Sequence, residues 1–249
     1  MQESKLLDRQ TELLRHLTGA ELLFGGDGSP GALQEPGRHG IGSPGLRLEA
    51  EMSFRKRMGK IEKILPLTCQ HLGRQRPQLF RRFAVACPPR SYRHYDEALC
   101  FYEFLLDHWQ TVSPDPPFIV DIARLEMALA RTRLFRAGQN MRPAVSTGPL
   151  RKTPLLRLAD GVEVLPMDYD LRPLFEDSVA ARVSVQRKHH LLVAPGLKVV
   201  EIPNTAAGVF EQLEAWTALD CVLKALAPDG AAEASLRPFL EAGFLEMAA

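Results

Sequence analysis

The chain has 249 residues, of which 45% are hydrophobic and 24% charged, so it can bury a core and keep a wetted surface. Its 31 basic and 30 acidic residues leave a formal charge of +1, and the chain as a whole has no electrostatic footprint for nucleic acid or an anionic membrane. No apolar run approaches the ~20 residues of a membrane span, and the opening MQESKLLDRQTELLRHL lacks a signal-peptide core, so a cytoplasmic location is expected.

Leu6, Leu7, Leu13, Leu14 and Leu17 fall on one face of a short helix. The stretch GGDGSPGALQEPGRHGIGSPG, residues 25–45, has no apolar period, and its Gly and Pro content predicts a linker or long loop. Residues 51–136 read as helical. Met58, Ile61, Ile64, Leu65, Thr68 and Leu72 make one stripe, ended by Gly73 as a C-cap. A second helix over 78–86 turns Leu79, Phe80 and Phe83 inward and stops at CPPRSY, where tandem prolines cannot continue it. A third over 95–109 carries Phe101, Phe104, Leu105 and His108. After the break SPDPP, a fourth over 117–135 carries Phe118, Ile122, Leu125 and Leu129. Four helices with short connectors predict a bundle.

Past Arg136 the period changes. LLRLADGVEVLP predicts two strands in a hairpin around Asp160-Gly161. MDYDLRPLFED reads as a helical turn or an excursion. VSVQRKHHLLVAPGLKVVEIP predicts two more strands around Ala194-Pro195-Gly196. Helices follow over 205–216 and 218–226, with Asn204 or Thr205 and then Thr217 as N-caps. Leu236, Phe239 and Leu240 mark a third that ends at Gly243, and FLEM returns as a strand. The fold class expected is α+β: an N-terminal helix and Gly/Pro-rich segment over 1–50, a helical bundle over 51–140, and a winged-helix-like recognition element over 150–249.

No catalytic signature appears: G-x-S-x-G, H-E-x-x-H, a phosphate loop and G-x-G-x-x-G between strand and helix are all missing. Cys69, Cys87, Cys100 and Cys221 form no C-x-x-C pair and are expected as reduced thiols. His189 and His190 are neighbours in a strand, so their side chains leave opposite faces and cannot simply share a metal. Asp121 and Arg124 are i, i+3 neighbours suited to a surface pair, and Glu126 at the stripe edge could receive a buried arginine. Asp168 and Asp170 around Tyr169 fit turn-forming better than acid–base work. Arg187 and Lys188 read either as a solvated strand face or as a contact for acidic groups.

Two stretches carry a family resemblance. FRKRMGKIEKILPLTCQHLG, FRRFAVACPPRSYRHYDEALCFYEFLLDHW and PPFIVDIARLEMALART resemble the helical domain, labelled as DNA-binding, of proteins encoded beside multinuclear non-heme iron oxidases. The matching features include Phe80 with Phe83 and the D-x-A-R-x-E pattern of Asp121, Ala123, Arg124 and Glu126. HLLVAPGLKVVEIPNTAAGVFEQLEAWTALDCVLKAL with LRPFLEAGFLE is similar to the peptide-recognition element of ribosomal-peptide modification. Together they resemble the partner subunits of methanobactin and 3-thiaglutamate biosynthesis. The resemblance implies a non-catalytic subunit, holding no cofactor itself, that presents a precursor peptide to an oxidase carrying the iron.

An extended leader peptide can add a strand to an exposed sheet edge, with side-chain pockets setting the register. Residues 198–203 are the candidate edge, ended by Pro203. Arg187, Lys188, Lys198, Val199, Val200, Glu201, Ile202, Phe210 and Leu213 are the expected peptide contacts. Tyr92, Tyr95, Asp121, Arg124 and Glu126 are the expected docking residues for the oxidase. The alternative is a winged-helix transcription regulator. It is disfavoured because helix 205–216 carries Glu211 and Glu214 and no Lys or Arg, which neutralises phosphates poorly. No nucleic acid or membrane partner is expected.

Overall fold

A computed structural model describes residues 44–89, 91–138, 154–174, 186–226 and 232–248. The leucine stripe of the N-terminus lies outside these residues, as does all but the end of the Gly/Pro-rich segment. The chain is α+β and divides into two compact units, residues 1–119 and 120–249. Among the described residues no helix is long and apolar enough to cross a membrane.

The first unit holds α1 (Pro44–Ile64), α2 (Pro66–His71), a 3-10 turn (Gly73–Gln75), α3 (Arg76–Ala86) and α4 (His94–Thr111). The single helix expected through Leu72 is broken at Leu65, whose φ of −118° and ψ of 53° are not helical. Pro66 is the cause, because its ring pushes the preceding residue out of the α region. Gly73, at φ +51°, still supplies the left-handed stop. Ile61, Leu65, Phe83, Phe101 and Leu105 are fully buried. Phe101 meets Phe80 and Phe83 edge-on, with ring centroids 5.0 and 5.1 Å away.

Arg57 ties three parts of this unit together. Its Nε donates to Glu97 Oε2 at 2.6 Å, its Nη2 donates to the Cys87 carbonyl at 2.6 Å, and its guanidinium lies 4.5 Å above the Phe83 ring. Both charges are buried, so removing either one strands the other.

The second unit begins with α5 (Ile119–Gly138). The sequence boundary near residue 140 grouped this helix with the bundle. Its side chains instead bond to strands that follow it: Asp121 to Asp168 and Tyr169, Arg124 to Pro166, and Arg131 to Glu163. Next come β1 (Leu155–Leu158), β2 (Glu163–Tyr169), a 3-10 turn (Arg172–Leu174), β3 (Gln186–Ala194) and β4 (Lys198–Ile202). Then follow α6 (Asn204–Gln212), β5 (Thr217–Ala218), α7 (Leu219–Leu226), α8 (Ala232–Glu241) and β6 (Leu245–Ala248).

These strands form two antiparallel sheets, β2-β3-β4 and β5-β1-β6. The hairpin expected between β1 and β2 does not form, since the two strands enter different sheets. The turn at Asp160-Gly161 explains why. Val162 N donates to the Ala159 carbonyl at 3.0 Å, and Gly161 alone in the turn has positive φ, +78°. Tight two-residue hairpins use positive φ at both central residues or at the first; here the second alone has it, and such a turn splays the flanking strands.

The core of this unit gathers Leu156 and Leu158 of β1, Leu192 of β3, Ile202 of β4, Phe210 of α6, Val222 of α7, Leu236 of α8, and Phe244 and Leu245. Gly243 closes α8 in a Schellman arrangement: at φ +78° its N–H donates to Leu240 O, and Phe244 N–H donates to Phe239 O.

Candidate functional site

The sheet β2-β3-β4 has two outer strands, and they are finished differently. Along β2, Asp121 reaches from the first turn of α5, and its Oδ2 accepts the Asp168 and Tyr169 N–H groups at 2.7 and 2.8 Å. Arg124, one turn on, lies 3.1 Å from Asp121 Oδ1 and donates to the Pro166 carbonyl at 2.5 Å. Asp121 is only 2% exposed. Burial pushes its carboxyl above the ordinary carboxylate range, against the downward pull of the two N–H groups and of Arg124.

β4 is paired with β3 from Lys198 opposite Ala194 to Ile202 opposite His190, and β3 is its one strand neighbour among the described residues. Alternation puts Lys198, Val200 and Ile202 on one face, Val199 and Glu201 on the other. Ile202 is buried in the core, whereas Val199 and Val200 are 40% and 37% exposed. Leu197 in the preceding turn is also exposed and takes a φ of +62°, unusual for a branched side chain. Lys198 Nζ donates to the Ala242 carbonyl at 2.5 Å, tying the start of β4 to the end of α8.

On the face of Glu201 a charge network spans the sheet. Arg187 of β3 pairs with Glu201 and lies 3.5 Å from Asp170 Oδ2. Arg172 Nε donates to Asp170 Oδ1 at 2.9 Å, and Arg172 Nη1 is 3.7 Å from Glu201 Oε2. The hydrogen bond from Arg172 is the main reason the Asp170 carboxyl is held at about 2. Beyond it, Asn204 Nδ2 donates to the Lys188 carbonyl at 2.9 Å, and Asn204 Oδ1 lies 3.0 Å from His190 Nδ1. Asn204 is therefore not the N-cap expected of it. Pro203 holds that position, and the amide fastens α6 to β3. Thr217 likewise enters β5 rather than capping α7.

The structure brings Lys198, Val199, Val200 and Glu201 together on the outer strand, with Arg187 and Lys188 on its neighbour. Ile202, Phe210 and Leu213 are buried to within 1% exposure and face the core. They support the edge from within instead of offering a contact surface, because the helical stripe that made Phe210 and Leu213 conspicuous is a core stripe. Of the expected docking residues, Tyr92 is 84% exposed and Tyr95 half-buried. Asp121 and Glu126 are buried, and Arg124 is engaged by Asp121 and Pro166. These last three belong to the interior fabric of the second unit.

His189 is buried with Nδ1 2.8 Å from the Arg187 carbonyl, and His190 leaves the opposite face. Among the described residues no group of three or more His, Cys, Asp or Glu is placed to hold a metal. The roles of Asp170, Arg172 and Ala242 were missed from the sequence. Only Asp121 gave a signal, as an acid at i+3 from Phe118 and i−4 from Leu125 on an apolar stripe. No family model matches the chain, and no curated protein matches it.

Proposed function

We propose that this chain is a non-catalytic subunit that binds the leader of a ribosomally made precursor peptide and presents its core, a cysteine, to a partner iron oxidase. The observation that carries the reading is the outer side of β4, which has no second strand neighbour among the described residues and bears two half-exposed valines, in a sheet whose other outer strand is bonded by α5 side chains. An extended peptide laid along β4 would gain main-chain hydrogen bonds worth about 1 kcal/mol each. Val199 and Val200 would set its register from opposite faces. Lys188 is exposed and available to acidic leader residues, whereas Arg187 already has Glu201 and Asp170.

In this reading the meander β2-β3-β4 followed by α6, α7 and α8 acts as the winged-helix-like recognition element, and the helices of the first unit form the bundle that docks the oxidase. Iron and its oxidative chemistry belong to the partner. The chain acts in the cytoplasm, where such a precursor is made.

The reading expects an iron oxidase and a short precursor to be encoded beside this chain, and these are the reagents of the test. Successive strand residues point their N–H groups to opposite sides, so of Val199→Pro and Val200→Pro one removes a donor to β3 and the other an outward donor. The variant that keeps its thermal transition is the outward one. Calorimetry on it should give leader affinity at least tenfold weaker than the parent; an unchanged affinity overturns the edge-strand model.

A further inference from the structure

The first unit has a cleft of about 580 Å³ between α1 and α3. Its α1 wall is a single helical stripe running from Arg47 to Glu62, and its α3 wall is the first turn and a half of that helix. Phe54, Met58, Gly59 and Phe80 supply apolar lining. Around them stand four arginines, Arg47, Arg55, Arg76 and Arg81, against two glutamates, Glu51 and Glu62.

We propose that this cleft docks a partner protein through an amphipathic helix with acidic flanks. The proposal deepens the docking role given above to the helical unit and rests on that reading for the partner's identity.

Charge is the first argument. The lining itself carries four arginines and two glutamates, with Arg55 paired to Glu51 at 2.7 Å and Arg76 to Glu62 at 3.3 Å. Both pairs are solvent-exposed, Arg55 at 76% and Arg76 at 44%, and such pairs are held weakly enough to be exchanged for a ligand's carboxylates. The second argument is Gly59. It lies inside α1, where glycine weakens a helix relative to alanine, and a Cβ built on it meets nothing within 4 Å. Packing among the described residues does not require glycine there. What glycine adds is room for another backbone to come close. The third argument is the lining itself: apolar side chains beneath a charged rim suit a helix presenting residues at i, i+3, i+4 and i+7. A nucleic-acid backbone would share the attraction to the arginines but gains nothing from the apolar floor.

The test is a selection of displayed helical peptides on the full chain, with Gly59→Leu as counter-bait. Leucine favours helix more than glycine, so this variant keeps α1. Winners are expected to be acidic on both flanks of an apolar stripe. They should bind at least tenfold less tightly to Gly59→Leu and to Arg55→Glu/Arg81→Glu. Neutral or basic winners overturn the proposal, as does equal affinity for Gly59→Leu. So does a short DNA duplex that binds the parent and loses affinity in the same variants. The leader-affinity assay on the β4 proline variants reads a different unit, so the two ideas fail separately.

Discussion

Asp121 and Arg124 close the β2 side of the meander sheet by bonding its backbone, while on the β4 side two valines stand half exposed and Glu201 turns back toward Arg187. Unpaired strand edges invite other chains, and proteins ordinarily cover or charge them. Here the covered edge is covered at a cost, because Asp121 is an acid held where burial disfavours its charge. Among the described residues no buried acid is bonded to the backbone of β4. The difference separates a side fastened by buried polar groups from a side where, among the described residues, no further strand pairs.

The largest effect should come from opening the closed side. Asp121→Ala takes the acceptor from the Asp168 and Tyr169 N–H groups and the ion pair from Arg124, and about 2–4 kcal/mol of unfolding free energy should be lost in urea titration. A loss below 1 kcal/mol would mean that water can close that edge as well. Arg124→Met is expected to cost about 1 kcal/mol, since the Pro166 carbonyl loses its donor at a half-buried position. On the open side, Val200→Thr should leave stability within about 0.5 kcal/mol of the parent, as at other exposed sites. If it matched Arg124→Met, the edge would be part of the core and the contrast would fail.

Asp121, which bonds the β2 backbone, and Asp170, in the charge network across the sheet, have opposite pH behaviour. Asp170 is held at about 2 against an ordinary 3.8, so its contribution is complete above 3.8 and is lost as pH falls toward 2. Asp121 is raised, so its contribution is present below 3.8 and is lost as pH rises through its folded-state value. Asp121→Asn should therefore flatten the stability profile on the alkaline side of 3.8, and Asp170→Asn on the acid side. Thermal melts between pH 2 and 6 distinguish the two; identical profiles would refute the assignment.

Much of this arrangement was legible in the sequence, for identifiable reasons. The helices of the first unit announced themselves through Phe80, Phe83, Phe101 and Leu105, whose spacing survives folding because each packs on its own helical stripe. The β3–β4 hairpin was legible through Pro195-Gly196. The β1–β2 hairpin was misread because Asp160-Gly161 looks like a primed turn, and the backbone angle that excludes it depends on what the strands pair with elsewhere. Leu65 was misread because the apolar stripe runs on through Pro66 while the backbone does not. At the candidate site, alternation located Val199 and Val200 but could not tell that Phe210 and Leu213 face inward. Asp170, Arg172 and Arg187 come together only through sheet register, which no local pattern encodes.

Gly161 has a consequence for what substitutions this chain can tolerate. A Cβ at that position would lie 2.6 Å from Cδ1 of Phe135, and the backbone is already left-handed. Alanine would have to displace an aromatic ring and strain φ together, whereas at Gly208 a Cβ meets nothing within 4 Å. In a saturation library scored for folded protein, position 161 should tolerate glycine alone, with partial recovery when Phe135 is made smaller. The loop between the two sheets would then be among the slowest parts of this chain to drift, although it is only a short turn.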